Sequence, residues 1–315
     1  MSTMAGEGAR IAKAPLDSMT ARQKRMERYG YLFISPWLLG FFAFTFIPIA
    51  ASIFLSFSRY SVLRPPEFIG LTNYRYALLG GDRLMWPSIG RSFRYAVFMV
   101  PLALTGSLLV AILLNQKVKG IAYWRTFYFL PTLTPGVASA ILWGWLLNPE
   151  LGLVNYLIGG LGLPTPRWFA SPQWALPGII LIGMWGSVGG GSMIIFLAGL
   201  QDIPVELVEA ADIDGAGRLR KFWNITLPIL SPVIFFNLII GIIGALRVFE
   251  TAFVATRGGP ARATWFISLH IYATAFEYFD FGYAAALAWV LVVIIVSMTV
   301  LQFRLAKSWV FYQGA

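Results

Sequence analysis

Six stretches of this 315-residue chain stay apolar long enough to cross a membrane, and no other feature restricts its fold as strongly. A helix needs roughly 20 residues to traverse a hydrocarbon layer of about 30 Å at about 1.5 Å per residue. The stretches are Tyr31–Phe57, Tyr95–Asn115, Thr126–Leu147, Leu176–Ala198, Ile229–Phe249 and Tyr283–Phe303. The third and fourth are interrupted, by Pro131 and Pro135 and by Gly189-Gly190-Gly191. Such breaks survive at bilayer depth only where protein or a water-filled cavity covers the freed backbone. With 58% hydrophobic and only 12% charged residues, the chain is too apolar for a soluble domain and too poor in charge for a disordered one. The expected fold class is all-α integral membrane, with six transmembrane helices.

The charge pattern orients those helices. A net charge of +10 would suggest nucleic acid in a soluble protein; in this chain it suggests basic loops facing an anionic leaflet, and no nucleic-acid partner is expected. Six crossings put both termini on one side. With the termini cytoplasmic, 14 of the 24 Lys and Arg lie in inner segments and 9 in outer loops, while Arg247 falls within the fifth stretch. Six of the 14 crowd before the first stretch, where they weigh most on topology. Residues 1–30 therefore read as an uncleaved cytoplasmic tail, because the 27-residue stretch that follows exceeds a signal peptide's apolar core of about 7–15 residues. Residues 31–304 form the membrane domain and 305–315 a second cytoplasmic tail. Residues 264–279 are aromatic but too short to span, and are expected to lie as a helix in the outer interface.

The segment 201–228, between the fourth and fifth stretches, is charged and patterned. Asp202 is placed to cap a helix that has Pro204 in its first turn. Glu206 and Glu209 then lie toward the positive end of the helix dipole. Leu207, Ala210, Ala211 and Asp214 share one face by helical spacing. Gly215 and Gly217 stop that helix, and Arg218, Arg220 and Lys221 open a second one running to Pro228. A small-residue face with acidic flanks suits a cleft on another protein. The plain alternative is a solvated amphipathic connector.

The spacing of Glu209-Ala210-Ala211, Asp214-Gly215 and Ile225-Thr226-Leu227-Pro228 resembles the EAA loop of binding-protein-dependent ABC importer permeases. The likeness extends over most of the chain. Arg125-Thr126 with Pro131, Trp143 with Asn148-Pro149, and Gly152-Leu153-Val154-Asn155 resemble the third span and following loop of maltose- and glycerol-phosphate-type sugar permeases. Thr256-Arg257-Gly258-Gly259-Pro260 with Thr264 is similar to their outer-loop signature, Arg257 standing where that signature has glycine. Tyr272 to Phe276 and Gly282-Tyr283-Ala284-Ala285-Ala286 continue it.

The resemblance implies a carbohydrate permease in a bacterial or archaeal cytoplasmic membrane. It implies a second permease, two cytoplasmic ATPase subunits and an extracytoplasmic sugar-binding protein as partners. Segment 201–228 would be a cytoplasmic coupling helix–turn–helix seated in an ATPase groove, with the acidic position at Glu209 and the turn at Gly215. Neither a phosphate-cradling glycine loop nor a catalytic constellation is evident, so the chain is not expected to hydrolyse ATP by itself; the resemblance implies that ATP and Mg bind the partner ATPases and that this chain carries no cofactor. The single His270 is read as a packing residue, not a metal ligand.

The resemblance also implies a sugar site on the fourth and fifth stretches, where Trp185, Ser187, Asn237, Arg247 and Glu250 supply stacking and hydrogen-bonding groups. Arg247 and Glu250 are three apart and could pair, or could snorkel to water; Asn237 could simply bond a neighbouring helix. A stand-alone secondary transporter or channel is the rival class. It would need coupling carboxylates inside the spans, and here nearly all acids lie in loops.

Overall fold

The computed structural model describes residues 21–116 and 118–311, with side chains from residue 25. The expected tail thus lies mostly outside the described residues. The chain divides into two units, Met1–Phe54 and Leu55–Ala315. In the first, helix Ala21–Phe41 passes through a wide π turn, Phe42–Phe46, into helix Ile47–Ser56, whose last two residues belong to the second. Helix therefore begins ten residues before the apolar stretch does.

Among the described residues four helices are long and apolar enough to span: Arg25–Ser56, Met85–Leu114, Arg218–Leu246 and Phe281–Ala306. Two bent pairs bring the number to six when each pair is one span: Ile121–Leu133 with Gly136–Leu146, bent by 95°, and Pro172–Ser187 with Gly191–Gln201, bent by 49°.

Both bends fall where the sequence is interrupted, and each supports the other. Pro135 caps the second half of the third segment, so the chain turns where proline denies a helical donor. Gly189 and Gly190 let the fourth segment's break sit directly on the third: a Cβ at Gly189 would collide with the Tyr128 carbonyl, and one at Gly190 would crowd the Thr132 hydroxyl. The carbonyls freed at the break are recovered by side chains. Thr132 Oγ1 donates to Gly186 O and Ser107 Oγ to Ser187 O, each at 3.2 Å. This is the internal satisfaction that an intramembrane break requires.

Three apolar clusters hold the second unit and mark its two ends. At one end Val110, Ala111 and Leu114 of the second segment pack on Phe196, Leu200 and Leu230. At the other, Ala77, Met85 and Ile89 pack on Ile267, Tyr283 and Leu287. Between them Tyr95, Met99 and Val100 meet Ile179, Leu246 and Phe266.

Several expectations are corrected. Segment 264–279 forms helix Ile267–Tyr272 and a π turn, Ala273–Glu277, but not an interfacial helix. Phe266, Ile267, Leu269 and His270 are all buried, because apolar residues on several faces of this short helix pack against neighbouring elements, while Phe276 at the segment's end stays exposed. The second hairpin helix does not stop at Pro228. Helix Arg218–Lys221 continues through a π turn, Phe222–Thr226, into Leu227–Leu246. Leu227 N–H bonds Phe222 O, five residues back, and this widening directly before Pro228 takes up the clash that proline would impose on a regular turn. A short antiparallel hairpin, Ser58–Ser61 with Arg64–Phe68, precedes the second segment and was not anticipated.

Candidate functional site: a charged hairpin and a central cavity

The hairpin begins with helix Val205–Ile213. Pro204 is its cap and Asp202 ends the preceding helix, contrary to the expected Asp202 cap, because the fourth segment stays helical through Gln201. The exit is a Schellman turn: Gly215 has φ +71°, its N–H bonds Asp212 O at 3.1 Å, and Ala216 N–H bonds Ala211 O at 2.9 Å. Glycine at 215 is thereby explained by backbone conformation. Gly217 then caps the helix that runs on into the fifth segment.

Across the turn Lys221 Nζ donates to Asp212 Oδ1 at 2.6 Å, an arm-to-arm clasp not recognised in the sequence. The clasp leaves the apolar tip open, with Ile213 88% and Leu219 73% exposed. Glu209, Ala210 and Asp214 are exposed and Ala211 half-buried. Ile225, Leu227 and Pro228 sit half-buried on the continuing helix. A hairpin whose second arm is the fifth segment itself will transmit any push on its tip straight into the membrane domain.

The proposed sugar contacts do not converge. Ser187 and Asn237 line one cavity of about 470 Å³, between the second, fourth and fifth segments, together with Ser192 and Tyr95. Asn237 is buried there and its Nδ2 donates to Val233 O at 2.9 Å, one turn back on its own helix. Trp185 lies elsewhere, ring to ring with Trp143 at 5.8 Å. Arg247 and Glu250 do not share a helix face: the fifth helix ends at Leu246, Phe249 breaks the geometry, and Glu250 starts a new helix, Glu250–Thr256. Among the described residues no ion pair joins them. Glu250 points its carboxylate at Gly136, the first residue after the third segment's bend.

The sequence reading missed a buried polar cluster. Asp82, before the second segment, accepts from Tyr283 Oη at 2.7 Å and from Leu84 N–H at 2.7 Å, and its Oδ2 lies 2.7 Å from His270 Nε2. Burial alone would raise the Asp82 carboxyl, but the bonds from Tyr283, His270 and Leu84, with the His270 charge, outweigh it and hold the group below the usual carboxylate range. Its members lie 188 and 201 residues from Asp82, so no local pattern announces them. His270 is thus a structural link between elements. The outer-loop signature is also knitted together. Thr256 and Thr264 hydroxyls meet at 2.7 Å, Thr264 Oγ1 donates to Gly259 O at 2.9 Å, and Arg257 adopts the left-handed conformation that favours glycine, with φ +47°.

Bent apolar helices around a partly polar cavity, with a stiff charged hairpin at one end, define a membrane-embedded transport subunit. The chain belongs to the family of binding-protein-dependent transport system inner membrane components, whose sequence profile matches residues 88–310. It is the permease subunit of an ABC importer. It is 41% identical over 315 residues to the probable ABC transporter permease protein YesP of Bacillus subtilis, covering 99% of each chain. It is 33% identical over 296 residues to the trehalose/maltose transport system permease protein MalF of Thermococcus litoralis, covering 92% of this chain and 98% of that one. The fold matches the crystal structure of a bacterial ABC transporter involved in import of the acidic polysaccharide alginate, with TM-score 0.79 and 22% identity over 91% of this chain and 98% of that chain.

Proposed function

We propose that this permease carries a carbohydrate delivered by an extracytoplasmic binding protein, and that hairpin 201–228 is where one of the two partner ATPases acts. The observation that carries the second part is the hairpin itself: a Schellman turn at Gly215, an exposed apolar tip and a second arm continuous with the fifth span. ATP-driven closure at the tip then tilts that span as a rigid body. Glu209, on the exposed face before the turn, is the acidic contact to the ATPase groove.

The carbohydrate assignment is supported by relatives such as the trehalose/maltose permease, the sn-glycerol-3-phosphate permease of Yersinia enterocolitica and the arabinooligosaccharide permease of Bacillus subtilis. The complete assembly holds a second permease. Both termini face the cytoplasm, and ATP and Mg bind only on the ATPases. Within the chain the Ser187–Asn237 cavity is the favoured substrate position, because it brings hydroxyl and amide groups together between segments that the hairpin moves. Uptake of labelled oligosaccharides by cells holding the full set of subunits tests this reading. Sugar uptake should require this chain and the binding protein together, and uptake without the binding protein would refute it.

A further inference from the structure

A second groove lies away from the Ser187–Asn237 cavity, at the end of the bundle opposite the hairpin. It encloses about 720 Å³ between the second segment, the fourth segment and the 261–263 loop. Arg91 and Arg94 stand at its mouth, three residues apart and so on one helix face. Ala261 and Ala263 form the third wall and bracket Arg262, whose guanidinium lies 5.9 Å from the Trp265 ring centre. Arg94 and Arg262 both act on Arg91 as like charges. Among the described residues none of the three has an ion-pair partner, and Nη1 of Arg91 is buried without any hydrogen bond.

Three unneutralised cations at one place repel one another, and a buried guanidinium nitrogen lacking an acceptor is unfavourable. The arrangement calls for an anion. Below the arginines the groove is apolar. Phe98 and Leu102 continue the Arg94 face, while Leu176, Ile180 and Met184 oppose them at four-residue spacing, a wall about 12 Å long. Gln173 is the only other polar side chain in the lining. A sugar would find almost no hydroxyl partners along such a wall, whereas an acyl chain would bury apolar surface throughout. Depth agrees, since Arg91 and Arg94 immediately precede the apolar stretch that begins at Tyr95, which puts them at headgroup level.

We propose that this groove binds an anionic phospholipid, its phosphate held by Arg91 and Arg94 with the charge of Arg262 on the adjoining loop adding to theirs, and one acyl chain laid against Phe98, Leu102, Ile180 and Met184. The lipid would fasten the second segment, the fourth segment and the outer loop together in the leaflet opposite the hairpin. Guanidinium groups bind a phosphate through charge-assisted, bidentate hydrogen bonds.

The test uses the assembled importer, stripped of lipid and resupplied with equal phosphatidylglycerol and phosphatidylcholine, with bound lipids counted by native mass spectrometry. Wild type should retain phosphatidylglycerol preferentially. Each arginine should contribute a preference of about five-fold, so R94Q lowers it by about that factor and R91Q/R94Q/R262Q removes it. R83Q, outside the groove, should keep the wild-type preference. R94Q alone keeps the test decisive if the triple variant fails to assemble. Equal retention of both lipids by wild type, or an R94Q preference equal to wild type, would overturn the proposal. Displacement of the lipid by inorganic phosphate or by an acidic oligosaccharide would assign the groove to a small anion and overturn it as well.

Discussion

Asp212 and Lys221, nine residues apart on opposite arms of the hairpin, are joined at 2.6 Å across the Gly215 turn. The pair closes the angle between a nine-residue helix and the helix that becomes the fifth span. Asp212 is 58% exposed, so the bond contributes little to stability, about 0.2–1 kcal/mol. Its consequence is mechanical. Asp212→Asn should leave insertion and thermal midpoint nearly unchanged but lower the sugar transported per ATP hydrolysed. An unchanged ratio would show that the turn alone holds the arms.

Gly215 holds them more firmly. At φ +71° a side chain costs about 1–2 kcal/mol, and branched residues suffer most. Gly215→Ala should reduce transport, and Gly215→Val should abolish it while the protein still reaches the membrane. Wild-type uptake by the valine variant would remove the turn from the mechanism.

Arg257 provides the opposite case, an L-residue held at φ +47°. Arg257→Gly relieves about 1–2 kcal/mol of backbone strain, partly offset by about 0.5–1 kcal/mol of added entropy loss. A slightly raised thermal midpoint is expected. A lowered one would mean that the arginine side chain makes a contact worth more than the strain.

The Asp82 cluster makes stability depend on acid. Its carboxyl is held below the usual range, so the stabilisation is fully present above pH ~4 and lost as pH falls through the depressed value. Asp82→Asn should cost about 2 kcal/mol near neutral pH, given hydrogen bonds to a charged acceptor. The gap between variant and wild type should close as the medium is acidified. A gap independent of pH would show that shape, not charge, matters at Asp82.

The sequence exposes this fold unevenly. Lengths of apolar run announce the spans, and Pro135 and Gly189-Gly190 announce the breaks, because backbone chemistry is local. The hairpin is legible for the same reason, since a left-handed turn demands its glycine. The Arg247–Glu250 pairing failed because spacing assumes one continuous helix, and the helix ends at Leu246. The Asp82–His270–Tyr283 link stayed hidden because its partners meet only through the packing of distant segments. Residues 264–279 misled because a short aromatic helix reads alike whether it meets headgroups or neighbouring helices.

Orientation follows from accessibility. In this cysteine-free chain, Gly160→Cys should react with an impermeant thiol reagent applied to intact cells, and Val118→Cys should not. The reverse pattern would invert the topology and place the hairpin outside.

The central claim is that a partner ATPase grips the hairpin tip. Ile213, 88% exposed at that tip, and Leu63, 94% exposed at the far end of the bundle, offer the most direct comparison. Each is changed to cysteine in the assembled importer and fitted with a short photocrosslinker. Ile213→Cys should yield a covalent adduct with an ATPase subunit, and Leu63→Cys should yield none. An ATPase adduct from Leu63→Cys and its absence from Ile213→Cys would contradict the account.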